Sequence, residues 1–259
     1  MDRVKSNNTE TFGVSNNTEA FGVSNNTGCF GVSSTTGDYG VSGNTGNNGV
    51  SNNTGPGGGS SNTGINGISG NTGLSGSSGN TGGYGVSSNT GDFGVSGNKG
   101  DKGISSNTGD AGHSSNTGRS GVSNNTGEFG VSSNKGDFGG SINTGSRGTS
   151  NNEGNFGTSI NTGGGGTSEN TGNGGASINT GLRGSTYAGN KNSIAVAWGP
   201  NSKAKGVKGA FLVLAEWKCS DISEFSWELV DSVMVQVDGK NIKEDTWYQL
   251  IDKKVTEIV

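Results

Sequence analysis

Ser87-Ser-Asn-Thr-Gly-Asp-Phe-Gly-Val95 runs directly into Ser96-Gly-Asn-Lys-Gly-Asp-Lys-Gly-Ile104 and then into Ser105-Ser-Asn-Thr-Gly-Asp-Ala-Gly-His113. Each nine-residue block opens on Ser, carries Asn at its third place, and carries Gly at its fifth and eighth. Followed outward in both directions, the frame holds for twenty copies, residues 6–185, without an insertion. A short period kept over that length marks a repeat architecture. The 54 glycines and the 25% apolar content of this 259-residue chain would signal disorder in an aperiodic sequence. Collagen is excluded because Gly does not recur at every third place and there are only two prolines.

Counting positions 1 to 9 from Ser6, position 1 is Ser and position 8 is Gly in all twenty copies. Position 3 is Asn except at Thr35, and position 4 is Thr except at Lys99, Lys135 and Glu153. Position 5 is Gly except in the first two copies, Glu10 and Glu19. Positions 2, 6, 7 and 9 vary. Position 7 holds Phe12, Phe21, Phe30, Tyr39 and Phe93, but also Lys102, Arg147 and Arg183. Alternate residues of a strand point to opposite sides, so positions 8, 1 and 3 share one side and positions 7, 9 and 2 the other. The invariant side is small and polar. Placing the variable side inside would bury unpaired Lys and Arg, which is costly. The expectation is therefore an interior of Gly, Ser and Asn, with the aromatics outside.

Asn-Thr-Gly-x reads as a tight turn, Asn tolerating unusual backbone angles and Gly supplying positive φ. One repeat is then a short strand and a corner, and two repeats make a coil of 18 residues. The predicted fold is all-β: a parallel β-solenoid of about ten coils over 6–185, preceded by a tail, 1–5, and followed by a small β-rich capping or assembly domain, 186–259. Such an interior buries little hydrocarbon. Its stability must come from the backbone ladder and from stacked Ser, Asn and Gly, such as Ser87, Asn89, Gly94, Ser105, Asn107 and Gly112, with identical Asn amides satisfying one another along the axis.

After residue 185 the composition changes, and all four tryptophans lie there. Gly209 to Trp217 reads as a buried strand. Trp227 to Val237 alternates, with Val233, Val235 and Val237 on one face. Asp238-Gly239 gives a two-residue hairpin signal. Thr246 to Ile251 continues the meander, and Val255 to Val259 adds an edge strand. The bland role for this segment is a cap over an open sheet edge.

Ser193-Ile-Ala-Val-Ala-Trp-Gly-Pro-Asn-Ser-Lys-Ala-Lys-Gly206 resembles a head repeat of the trimeric autotransporter adhesins, matching at Ala197, Gly199, Ser202, Ala204 and Gly206. That resemblance implies a trimeric β-roll head that binds host matrix; the family's stalk and membrane anchor have no counterpart here. The whole chain also resembles Ser/Ala-x-Asn-Thr-Gly repeat proteins of gut bacteria and their phages, in which the repeats precede a short domain containing Leu214-Ala-Glu-Trp217 and Asp245-Thr-Trp-Tyr248. That resemblance implies an architecture and no activity.

No catalytic, cofactor or metal site is expected. His113, the only histidine, stands at a variable outward position, and a His-based triad lacks partners. Calcium-binding nonapeptide coils need Asp in nearly every copy, whereas position 6 is Asp only at Asp38, Asp92, Asp101, Asp110 and Asp137; these read as solvated turn residues. Glu224, Glu228, Asp231 and Asp238 read as a solvated strand face. The net charge of −4 argues against a nucleic-acid partner, which wants a basic face. No apolar run reaches membrane-spanning length, and no signal-peptide h-region precedes the repeats. The expected setting is cytoplasmic synthesis, with virion association or non-classical release left open. Cys29 and Cys219 are far apart in sequence and fit a reducing compartment. The expected function is a structural element that self-associates as a homo-oligomer or polymer, or that adheres to a glycan or cell surface. Its candidate association surface is Phe12, Phe21, Phe30, Tyr39, Phe93, Trp198 and Trp217. Ice binding through the position-4 threonines is the alternative.

Overall fold

The computed structural model describes residues 4–219 and 226–258. The chain is all-β and forms a parallel β-solenoid that ends in a C-terminal β region. It falls into two compact units, Met1–Gly136 and Asp137–Val259. In the first unit, fifteen four-residue strands run from Lys5–Asn8 to Val131–Asn134. Strands from alternate repeats pair in parallel, so Ser87 lies over Ser69 and under Ser105, and Asn89 over Asn71 and under Asn107. Odd-numbered repeats build one sheet and even-numbered repeats the other. In the second unit, nine further strands, from Gly140–Asn143 to Phe211–Cys219, continue the same alternation. Twenty-four strands at two per coil give about twelve turns, where the repeat count alone gave ten.

Each strand covers positions 9, 1, 2 and 3, with positions 1 and 3 buried and positions 9 and 2 outward. The interior is the expected one: Ser87, Ser105 and Asn107 are fully buried, and Asn89 is 1% exposed. Every Gly of position 8 faces inward too. A Cβ on Gly94 or Gly112 would press on the Asn of its own repeat, Asn89 or Asn107. Position 8 is therefore empty because position 3 is full.

Two details of the repeat differ from the sequence reading. Position 7 is a turn residue rather than part of the strand face. It lies in the left-handed region, at φ 62° for Phe12, 57° for Phe93 and 55° for Arg147. Positions 5 to 8 form a four-residue turn whose third residue carries the positive φ of type II, and in some copies the N–H of position 8 returns to the carbonyl of position 5, as in Gly22 N to Glu19 O at 3.0 Å. Position 5 Gly, assigned positive φ from sequence, does not have it; its requirement is space. A Cβ on Gly109 would overlap the carbonyl of Gly91 in the coil below, and the same holds for Gly28 over Glu10 and Gly37 over Glu19.

The Asn side chains also bond differently from the expected Asn-to-Asn ladder. They stack in register, but their amides reach backbone carbonyls and serines. Asn98 donates to Ile104 O at 2.5 Å and to Ser105 Oγ at 3.2 Å, and accepts from Ser87 Oγ at 2.9 Å. Asn161 donates to Gly148 O at 2.7 Å while its Oδ1 accepts Gly163 N at 3.0 Å, an Asx turn that draws the corner in. The geometric reason is that coils repeat at about 4.8 Å, and a strand carbonyl or a facing Ser stands nearer each amide than the next Asn does. Among the described residues, Asn89 and Asn107 have no side-chain hydrogen-bond partner.

Residue 185, read as a domain boundary, marks a change of core rather than the end of the coil. Parallel pairing continues through Ser185–Ala188, Ile194–Ala197 and Lys203–Gly206. The inward residues become Thr186 and Ala188, then Ala195 and Ala197, then Ala204 and Gly206, and finally Leu212 and Leu214. Where Ala replaces Asn, position 8 fills: Ser193 and Ser202 stand there, their hydroxyls donating to Gly172 O at 2.7 Å and Gly181 O at 2.8 Å. The segment resembling an adhesin head is thus two strands of the solenoid itself. Likewise Lys5, assigned to the tail, begins the first strand; Met1 to Arg3 lie outside the described residues.

Each sheet of the second unit closes on an antiparallel partner. Phe211–Cys219 pairs with Trp227–Gln236, and Lys203–Gly206 pairs with Trp247–Ile251, which pairs in turn with Lys254–Ile258. Leu212, Leu214, Val237, Tyr248 and Leu250 form an apolar core with the buried alanines, and Val233 and Val235 pack against it. Asp238-Gly239 is not a hairpin turn, because the strands on its two sides do not pair with each other. It caps a crossing loop: the Asp238 carboxylate accepts N–H groups from Lys240, Asn241 and Ile242 at 2.7, 2.9 and 3.0 Å. The two-residue hairpin lies at Asp252-Lys253, both at positive φ, with their N–H groups on the Glu216 carboxylate at 3.0 and 2.8 Å. Glu224 and Val259 lie outside the described residues.

Candidate association surface

Position 7 displays its side chains at the corners, and the coil spacing brings every second one into register. Phe12 stacks on Phe30 at 5.0 Å between centroids, Phe21 on Tyr39 at 5.2 Å, and Phe138 on Phe156 at 5.5 Å. Consecutive repeats alternate between opposite corners, so Phe12, Phe21 and Phe30 are two ladders and not one. Phe12 is 71% exposed and Phe93 64%. At Tyr84 the next coil offers Lys102, whose Nζ lies 5.1 Å from the ring centroid. Trp198 and Trp217, expected on the exposed surface, are half-buried against each other at 6.3 Å, edge to face. The Trp217 indole N–H donates to Trp198 O at 2.6 Å.

Position 6 at the same corners carries the aspartates. Asp92, Asp101, Asp110 and Asp137 each accept, through Oδ1 at 2.9 Å, the N–H of the residue one coil up. Their carboxylates cap turn amides, and Asn47 does the same for Ile65 N at 2.9 Å. His113 is exposed on a sheet face, and Cys29 and Cys219 are exposed and not joined in a disulfide. Among the described residues no group of three or more His, Cys, Asp or Glu comes together.

The flat faces of the second unit differ sharply from one another. On the even-repeat sheet the outward column at position 2 reads Ile142, Ile160, Ile178, Val196 and Val213, and Met234 pairs beside Val213 on the antiparallel strand. Phe211 and Met234 are exposed there. On the odd-repeat sheet the same position reads Asn151, Glu169, Tyr187 and Lys205. Lys205 Nζ lies 4.8 Å from the Tyr187 ring and 5.1 Å from that of Trp247, and Lys203 Nζ lies 4.8 Å from Trp247. Burial first, and then the nearby Asp245 carboxylate, hold the Tyr187 phenol above its ordinary range.

The aliphatic column was missed because the twenty copies were read as one pool. Split by parity, position 2 is Ile in three successive even copies, 16, 18 and 20, and in no odd copy. The same split makes position 4 Thr in all ten even copies, exposed at Thr18 through Thr126 in the first unit and at Thr144, Thr162 and Thr180 in the second. Lys99, Lys135 and Glu153 all fall in odd copies. Compared with family models, curated proteins and solved structures, the chain matches none.

Proposed function

We propose that this protein is a non-enzymatic structural element and that its C-terminal unit associates with a second copy through the even-repeat face. The column Ile160, Ile178, Val196, Val213 and Met234 carries this reading. β-Branched and flexible apolar side chains on a flat sheet make a surface that favours burial, and a two-fold pairing lays the same patch on itself. The column itself carries no charged residue, whereas the opposite sheet displays Glu169, Lys203 and Lys205. The test is sedimentation velocity over a concentration series, with Ile178→Lys/Val196→Lys as the comparison. The wild type is expected as a dimer or larger and the double variant as a monomer of unchanged circular dichroism. A wild type that stays monomeric at high concentration sinks the proposal.

The unbroken even-copy Thr column favours a second reading, an ice-ordering edge. It requires thermal hysteresis that Thr90→Tyr/Thr108→Tyr removes.

A further inference from the structure

Position 5 is Gly in eighteen of the twenty repeats, and the two exceptions, Glu10 and Glu19, are the two corners of the first coil. The stacking geometry explains that placement. In later coils a Cβ at position 5 points at the coil below and would overlap the carbonyl there, as for Gly46 over Gly28, Gly55 over Gly37 and Gly118 over Gly100. The obstacle is backbone, which cannot swing aside. Within the twenty repeats, only the corners with no coil beneath them carry a side chain there. Among the described residues no strand lies on the far side of Lys5–Asn8 or Val14–Asn17.

The corners of the first coil have the geometry of the others. Glu10 N donates to Asn8 Oδ1 at 2.8 Å and Glu19 N to Asn17 Oδ1 at 2.9 Å, matching Gly28 N to Asn26 Oδ1 at 2.9 Å. Gly13 N returns to Glu10 O at 3.1 Å. Their Cβ atoms therefore point off the open end, toward the place where a further coil would set its turn carbonyls. Outside the twenty repeats, Asn190 also stands at position 5, after Ala188, whereas the next corner, after Ala197, keeps Gly199, whose Cβ would overlap the Gly181 carbonyl.

We infer that Glu10 and Glu19 close the N-terminal sheet edges to coil-on-coil stacking by a second copy of this chain. The open edge is otherwise well suited to such stacking: two parallel strands with unpaired backbone groups, and inward Ser6 and Asn8 in the pattern every other coil shares. Exposed sheet edges template further pairing unless something blocks them. Here the block is the first carbon of two side chains, and the carboxylates add like charge between two approaching ends. Self-association of this protein is thereby turned away from the N-terminal axis and left to its lateral faces.

The test compares the full chain with Glu10→Gly/Glu19→Gly and with Glu10→Gln/Glu19→Gln, by negative-stain electron microscopy and sedimentation velocity at several concentrations. Circular dichroism confirms the fold of each. The glycine pair is expected to form end-joined particles whose fraction grows with concentration, at least tenfold over the wild type. The glutamine pair, which keeps the Cβ atoms and loses the charge, is expected to match the wild type. A glycine pair indistinguishable from the wild type overturns the inference, as does a glutamine pair that joins ends as readily as the glycine pair. Each outcome is independent of the lateral contact, which is read on the Ile178→Lys/Val196→Lys background.

Discussion

At the scale of one residue, position 7 is the strained member of the repeat. An L-residue in the left-handed region is disfavoured by about 1 kcal/mol, and here the side chain is Phe, Tyr, Lys or Arg far more often than Gly. The position is held by its backbone, since Phe93 N donates to Asp110 O at 2.8 Å and Lys102 N to Arg119 O at 2.8 Å. Stacking on the neighbour one coil away offsets part of the strain where two rings meet. Ala111, at φ 51°, has the strain and no ring to stack with. Ala111→Gly is therefore expected to stabilise the protein by roughly 0.5 kcal/mol, the relief of strain exceeding the gain in unfolded-chain freedom. Thermal or denaturant unfolding measures it, and a lower midpoint contradicts this account.

Among elements, the interior shows why identical columns need not be energetically identical. Asn98 holds a carbonyl and two serines, whereas Asn89, on the facing sheet, has no side-chain hydrogen-bond partner among the described residues. Asn98→Leu removes bonds to Ser87, Ser105 and the Ile104 carbonyl and should cost about 2 to 3 kcal/mol; Asn89→Leu removes an unsatisfied amide and, although Leu is the bulkier side chain, should cost less by about 1 kcal/mol. Equal losses in denaturant titrations would show that the column and not its bonds sets stability. The crossing loop of the C-terminal unit gives a pH-dependent counterpart. N–H groups from Lys240 first, then Ile242 and Asn241, hold the Asp238 carboxyl below its ordinary range. The folded value lies below the unfolded one, so this contribution is complete above the unfolded carboxylate range and is lost as the pH falls through the folded value. Hydrogen exchange at Lys240 and Ile242 is expected to quicken on acidification, and Asp238→Asn to abolish that dependence.

For the whole molecule, the period, the strand-and-corner unit and the small polar interior were legible because a buried face cannot vary and an exposed one can. Ser87 and Asn107 announced themselves in that way. The site of the positive φ was not legible, because Phe93 or Lys102 at a left-handed corner breaks the composition rule that points to Gly. Nor was the extent of the coil, since Ala195 and Leu212 take the inward place of Ser within the same backbone without matching its residue type. The aliphatic face was hidden by averaging over two sheets that the sequence interleaves. That interleaving has a genetic consequence. Tandem repeats gain and lose copies by recombination, and here the unit that preserves geometry is two copies, not one. Loss of a single copy, residues 60–68 for instance, would leave the backbone frame intact yet join the unbroken Thr column on one side of the deletion to the column holding Lys99 on the other. Descendants of this gene that differ by odd copy numbers should therefore have scrambled faces, and those that differ by even numbers should keep them, so that selection on the surface would be visible as parity in the copy count.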